Sequence, residues 1–133
     1  MQRGRPEKQQ RSGKIITVSS VAGTAPPADG GYAHYGAAKA ATAHYTRYLA
    51  QDLGLFGITA NRIAPGVIAT ERITQTVIPG SSQSNRDRPE LVALRRLGTV
   101  EDCAKVVESL ATDLFDYVTR ATIPLDGGLV RGQ

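Results

Sequence analysis

Three short apolar runs, Lys14 to Ser19, Ile58 to Ala64 and Ala121 to Leu125, alternate with stretches of helical periodicity, and this alternation limits the fold more than any other feature. The first run, Lys14-Ile15-Ile16-Thr17-Val18-Ser19, lacks polar alternation and reads as a strand covered on both faces of a parallel sheet. From about Tyr32 to Leu53, small or apolar residues recur at Ala38, Ala41, Tyr45, Tyr48, Leu49 and Leu53, and Gly54 follows as a stop. This predicts a helix whose apolar stripe includes Tyr45 and Tyr48 as core or interface residues. The next helix is expected near Thr99, whose hydroxyl can cap while Asp102 completes a capping box, and runs through Val106, Val107 and Leu110 to about Ala111. Strand, helix, strand, helix, strand makes two crossover units, right-handed by the usual rule, and hence an α/β, doubly wound parallel sheet. The strands near Ile15, Ala60 and Ile123 are expected to be parallel neighbours, with helices making a three-layer unit.

The remaining segments bound what such a sheet can serve. With 133 residues the chain has the length of one domain. Residues 1–12 read as a basic, irregular lead-in, and the net charge of +4 is already present in residues 1–14, where Arg3, Arg5, Lys8, Arg11 and Lys14 face Glu7 alone. Acidic and basic residues balance beyond it. No aromatic interleaving or binding motif accompanies the tail, so nucleic acid is not an expected partner. There is no apolar run of membrane-spanning length and no signal-peptide pattern, and the single Cys103 excludes an internal disulfide; a cytoplasmic setting with no membrane partner is expected. His34 and His44 lack partners at ligand spacing, so no metal is expected. Gly23 to Gly31 reads as a loop, and a longer one from Pro65-Gly66 to about Arg88, with a short helix expected around Glu71 to Val77, has the length usually kept for lids.

Tyr35 and Lys39 carry the chemistry. Four residues apart on a helix, they project from one face. A fixed ammonium beside a phenol favours the phenolate, which suits Tyr35 to give or take a proton near neutral pH. Ser20, at the end of the preceding strand, can hold a carbonyl or alcohol oxygen. Together these groups fit hydride chemistry at a C=O or CH-OH carbon.

The neighbours extend this reading. Ile15 to Gly23, Tyr35-Gly36-Ala37-Ala38-Lys39, Asn61-Arg62-Ile63-Ala64-Pro65-Gly66-Val67-Ile68-Ala69-Thr70, Arg96-Leu97-Gly98-Thr99-Val100-Glu101-Asp102 and Ile123-Pro124-Leu125-Asp126-Gly127-Gly128 follow one another along the chain. In order and spacing they resemble the short-chain dehydrogenase/reductase family, in particular its 3-oxoacyl carrier-protein reductases, over nearly all of Gly13 to Gly132. The resemblance implies that Ser20 orients the carbonyl, preferred to Ser19 as the second of the pair, and that Tyr35 exchanges the proton. It gives Lys39 two roles, tuning Tyr35 and bonding the nicotinamide ribose. Pro65, Gly66, Val67 and Ile68 would form the loop at the nicotinamide, with backbone groups of Val67 and Ile68 on its carboxamide, and Thr70 would reach a phosphate. The cofactor would be NAD or NADP, the substrate a small carbonyl or alcohol bounded by the loop 71–88, and the complete enzyme a homo-oligomer, dimer or tetramer. Asp126-Gly127-Gly128 is chiefly structural. Two departures stand out: the Ser20 to Tyr35 separation is longer than usual, and Thr119-Arg120 replaces Thr-Gly.

The family's glycine-rich turn, its residue selecting NAD or NADP and its active-site Asn are not in these 133 residues. The expected fold is therefore the carboxyl-terminal half of a Rossmann-type sheet, residues 13–133. By itself this half is expected to be neither a stable monomer nor a working oxidoreductase. The competing expectation is a non-catalytic remnant acting through oligomeric association, by the Tyr35 to Leu53 helix or the last strand.

Overall fold

Three parallel strands in the order β1-β2-β3 form the sheet: β1 (Gly13–Val18), β2 (Ile58–Pro65) and β3 (Thr122–Leu125), with helices α1 (Ala33–Leu53) between the first two and α2 (Val100–Leu110) between the last two. The structure is a computed structural model and describes residues 11–27, 30–71, 73 and 88–129. Ile15 pairs with Ala60 and Val18 with Ile63, while Ile63 pairs with Ile123. The central strand β2 is buried from Ile58 to Ala64, and β1 is the outer strand of the described sheet. No helix among the described residues is long and apolar enough to cross a membrane.

Side-chain alternation shows which helix covers which face. Thr17 meets Thr46 of α1 through a 2.6 Å hydroxyl pair, so Thr17 and its register partner Arg62 face α1. Lys14 and Asn61 point the other way. Lys14 pairs with Asp116 and the Asn61 amide donates to the Val118 carbonyl at 2.8 Å, both just beyond α2. The helices therefore cover opposite faces and make three layers. Because the strand order advances in one direction while the covering helix changes face, the two connections have opposite hands. Only one obeys the right-handed rule, contrary to the sequence expectation. The long connection 66–99 has anchors of its own at Val67 and Gly98, which frees α2 from the constraint that a short crossover imposes.

The apolar stripe of α1 also differs from expectation. The residues buried against the sheet are Ala43, Thr46 and Ala50, whereas Tyr45 is 63% exposed and Tyr48 58%. Tyr45 and Tyr48 are therefore not core. The reason is close approach: Thr46 lies within a hydroxyl bond of Thr17 and the Gly23 turn lies against the Lys39 backbone, so only small helix residues fit between α1 and the sheet. The turn Val21–Gly23 is seated as tightly, since a Cβ on Gly23 would lie 2.6 Å from the Lys39 carbonyl carbon and one on Gly36 would lie 3.1 Å from the Ala22 oxygen. The helix ends where expected, but not by Gly54, which stays right-handed and leads into a 3-10 turn, Gly54–Phe56; the left-handed stop is Gly57 at φ 72°.

The start of α2 follows its sequence signature. Thr99 Oγ1 accepts from the Asp102 amide at 3.1 Å, and Asp102 Oδ2 accepts from the Thr99 amide at 2.9 Å. Arg96 adds two bonds to the same carboxylate, and with the Thr99 amide these hold Asp102 well below the usual carboxylate range. Near β3, Arg120 sits at φ 64°, a left-handed conformation that glycine adopts without strain, and its amide donates to the Ala60 carbonyl at 2.7 Å. The Thr-Gly pattern thus has a backbone cause that Arg120 meets at a cost. Of the sequence-predicted lid, only Glu71, Ile73 and Arg88 are among the described residues, and residues 1–10 of the lead-in lie outside them.

Two stability measurements follow from this packing. Gly23→Ala is expected to cost about 1 to 3 kcal/mol in urea unfolding, because backbone rather than a yielding side-chain tip meets the added methyl. Arg120→Gly is expected to raise stability by about 0.5 to 1 kcal/mol, the relieved left-handed strain outweighing the extra freedom of the unfolded glycine.

Candidate active site

Three loops leave the carboxyl ends of the parallel strands on one side of the sheet: Ser19 to Gly23 after β1, Gly66 to Thr70 after β2, and Asp126 to Gly128 after β3. In open α/β sheets that edge is where ligands bind.

Ser20 is extended and opens the turn Val21–Gly23, with its Oγ accepting from the Ala22 amide at 3.2 Å. That bond uses a lone pair, so the hydroxyl proton remains to be donated. The close contacts of Gly23 with Lys39 and of Gly36 with Ala22 seat this turn on the part of α1 that carries Tyr35 and Lys39. As the spacing predicts, these two share a face: Lys39 Nζ stands 5.6 Å from the centre of the Tyr35 ring. The same ammonium donates to the Val18 carbonyl at 3.3 Å, which ties it to the end of β1. Ser20 is almost buried, whereas Tyr35 is 44% exposed and can be reached from outside.

The second loop is shaped by backbone. The Gly66 amide donates to the Leu125 carbonyl at 3.0 Å, and a Cβ on Gly66 would lie 2.8 Å from that of Asp126, so Pro65-Gly66 and Asp126-Gly127 need each other. Gly98 donates to the Val67 carbonyl at 3.0 Å and accepts from the Ala69 amide at 2.8 Å, forming a parallel bridge at Ile68. In such a bridge the N–H and C=O of Ile68 itself point away and take no part. Thr70 receives the Ile73 amide on its carbonyl at 2.9 Å and, more weakly, on Oγ1 at 3.4 Å. The Asp126-Gly127-Gly128 turn is structural as expected: Asp126 Oδ1 accepts from the Gly128 amide, and the Gly127 and Gly128 carbonyls accept from Leu94 and Ala93.

Two residues gain a place here that sequence reasoning did not give them. Ser19, set aside in favour of Ser20, donates through Oγ to the Lys39 carbonyl at 2.7 Å. Arg62, passed over within a strand motif, is 5% exposed, and its Nη1 donates to Ser19 Oγ at 3.2 Å. The available signal was a lone cation in the otherwise uncharged run Ile58 to Ala64.

Comparison with known proteins accords with this arrangement. The family profile described as enoyl-(acyl carrier protein) reductase matches residues 1–130. Cyclohexanol dehydrogenase of a Rhodococcus species is 56% identical over 124 residues, which are 93% of this chain and 45% of that protein. The 3-oxoacyl-[acyl-carrier-protein] reductase of Pseudomonas aeruginosa is 40% identical over 119 residues, covering 90% of this chain and 46% of its own. Among solved structures, a 3-oxoacyl-[acyl-carrier protein] reductase from Brucella melitensis superposes with a TM-score of 0.80 at 34% identity, over 92% of this chain and 44% of that one. Another from that organism, with bound NAD, gives a TM-score of 0.77 at 33% identity over 92% of this chain and 42% of its own. The chain thus spans less than half the length of these relatives, and the part it spans, with its parallel sheet and the pairing of Tyr35 with Lys39, belongs to the short-chain dehydrogenase/reductase family.

Proposed function

We propose that the chain supplies the catalytic half of an oxidoreductase that moves a hydride between NAD or NADP and the carbon of a small carbonyl or secondary alcohol. The observation that carries this reading is the seating of the Ser20 turn directly on the Tyr35 and Lys39 turn of α1. In reduction, Ser20 donates its free proton as a hydrogen bond to the substrate carbonyl oxygen. Tyr35 gives its phenolic proton to that oxygen as hydride reaches carbon, which turns C=O into CH-OH; oxidation runs the same exchange backwards, with the Tyr35 phenolate taking the hydroxyl proton. Lys39 Nζ, held by the Val18 carbonyl, stands 5.6 Å from the centre of the Tyr35 ring on the same helix face.

The residues present fit a nicotinamide. A carboxamide needs one acceptor and one donor, and the Ile68 N–H and C=O stand outside the bridge to Gly98. Val67 and Ile68 would hold that group, Pro65 and Gly66 would shape the approach, and Lys39 would bond the ribose and Thr70 a phosphate. When bound, the nicotinamide ring supplies or accepts the hydride. The higher identity to a cyclohexanol dehydrogenase than to 3-oxoacyl reductases favours an alicyclic secondary alcohol as substrate. The outer face of α1, with exposed Tyr45 and Tyr48, is suited to association into a homo-oligomer in the cytoplasm.

The reading is tested in the full-length protein by following reduced cofactor with cyclohexanol or a 3-oxoacyl thioester, using NAD and NADP in turn. Tyr35→Phe is expected to lower kcat by at least about 10²-fold while cofactor binding stays largely intact, and retention within about tenfold would overturn the assignment. Lys39→Ala is expected to damage both. Residues 1–133 expressed alone are expected to scatter light as an assembly larger than a monomer, because β1 presents an outer edge with Val18 53% exposed. A stable monomer would remove the assembly part of the proposal.

A further inference from the structure

Arg62 lies in the middle of the central strand, 5% exposed, on the face beneath α1. Among the described residues it makes no ion pair with a carboxylate, and the charged group acting on it is Arg47, of the same sign. Burial and Arg47 both lower its pKa from the usual guanidinium value. An apolar side chain in that place would serve stability better than a buried cation without a counter-ion. Arg62 therefore calls for a reason other than stability, and its hydrogen bonds supply one.

Its Nε donates to Thr122 Oγ1 at 2.6 Å and its Nη1 donates to Ser19 Oγ at 3.2 Å. The planar fork thus reaches β3 on one side and the end of β1 on the other. A guanidinium has no acceptor, so Ser19 Oγ must accept from it and is left with one proton to give. That proton goes to the Lys39 carbonyl at 2.7 Å. The direction of the chain Arg62 to Ser19 to Lys39 is fixed by chemistry, and a charged first donor strengthens the second bond. Lys39 is consequently held at both ends, its carbonyl by Ser19 and its ammonium by the Val18 carbonyl. Ser19 stands between Val18 and Ser20, so one brace fixes the spacing between the Ser20 turn and the Tyr35 and Lys39 turn.

We infer that Arg62 is a positioning residue, which acts through the Ser19 hydroxyl to hold the backbone of α1 at Lys39 in register with the end of β1. The inference rests on the reading of Ser20, Tyr35 and Lys39 given above, and it concerns the orientation of those groups rather than the binding of cofactor.

The test uses the full-length enzyme with Arg62→Met, Ser19→Ala and the double variant, assayed on whichever secondary alcohol the wild type oxidises. Each single change is expected to lower kcat by about tenfold to a hundredfold, as a small misplacement of reacting groups does. The KM for alcohol should stay within about threefold, because no substrate-binding group is removed, and the fluorescence-titrated affinity for reduced cofactor should fall by less than kcat does, because Lys39 itself is retained. The double variant should be no slower than the worse single variant by more than about twofold, since both changes break one chain. Ser19→Ala deletes a single oxygen atom and keeps the test decisive should Arg62→Met fail to fold. A kcat within about threefold of wild type for Ser19→Ala, or losses that multiply in the double variant, would overturn the inference. If Tyr35→Phe also left turnover intact, the catalytic reading itself would have failed. If Tyr35→Phe abolished turnover while Ser19→Ala did not disturb it, only the brace would have.

Discussion

The rest of the structure depends on how closely α1 approaches the face of β1 and β2. The helix residues buried toward the sheet are Ala43, Thr46 and Ala50, Thr46 touches Thr17 directly, and neither Gly23 nor Gly36 has free space for a methyl group. A helix at ordinary distance would bury more apolar area per residue, but it would carry Tyr35 and Lys39 away from the strand end that bears Ser20. The small residues set the distance, and the distance seats the turn that Ser20 opens against the turn of α1 that carries Lys39. Packing and the proposed chemistry are thus one constraint, because loss of either glycine contact would widen the site as it loosened the core.

The central strand meets a second demand, since its neighbours must satisfy its polar groups where ladder bonds do not reach. Asn61 does this toward β3: its amide donates to the Val118 carbonyl while its Oδ1 accepts from the Ala121 amide at 3.0 Å, so one side chain takes the place of a strand in the approach to β3. Thr119 Oγ1 receives the Ala60 amide at 3.0 Å, and the Arg120 amide answers with the Ala60 carbonyl. The left-handed conformation of Arg120 belongs to this pattern, because the chain must reverse there to present Thr119 and Arg120 to the same residue. Local strain at Arg120 is compensated by one backbone bond, to the Ala60 carbonyl, and by the bond of the Ala60 amide to the Thr119 hydroxyl.

Much of this was legible in the sequence, and the exceptions have physical causes. The strands were readable because uncharged β-branched runs have few alternatives, and α2 because Thr99 and Asp102 cap reciprocally at fixed spacing. The pairing of Tyr35 with Lys39 was readable from helical periodicity alone. What periodicity cannot supply is distance: Tyr45 and Tyr48 look like core or interface residues on a helix wheel, but a helix close enough for Thr46 to touch Thr17 admits only small residues beneath it, which leaves the two tyrosines on the outer face. The hand of the second connection was not readable either, because the rule that fixes it holds for short crossovers and the segment 66–99 is long. Ser19 was overlooked because a serine beside the preferred one carries no pattern of its own, and Arg62 because a lone cation in the run Ile58 to Ala64 does not name its partners. Their link joins residues far apart in sequence and exists only once the sheet has formed.

The loops at the strand ends show how such a site can keep its frame while its ligand changes. Gly66 is fixed by Leu125, Val67 and Ala69 by Gly98, and Gly127 and Gly128 by Leu94 and Ala93, in each case through peptide groups. Bonds of this kind do not depend on side-chain identity at Val67, Ile68 or Ala69. Those positions can vary without moving the backbone, and the peptide groups of Ile68 remain available whatever side chain stands there. The side-chain brace of Ser19 and Arg62 works beneath the helix. A frame of peptide bonds from Gly66 to Ala69, with that brace in the layer below, separates backbone that must hold its place from side chains that are free to change.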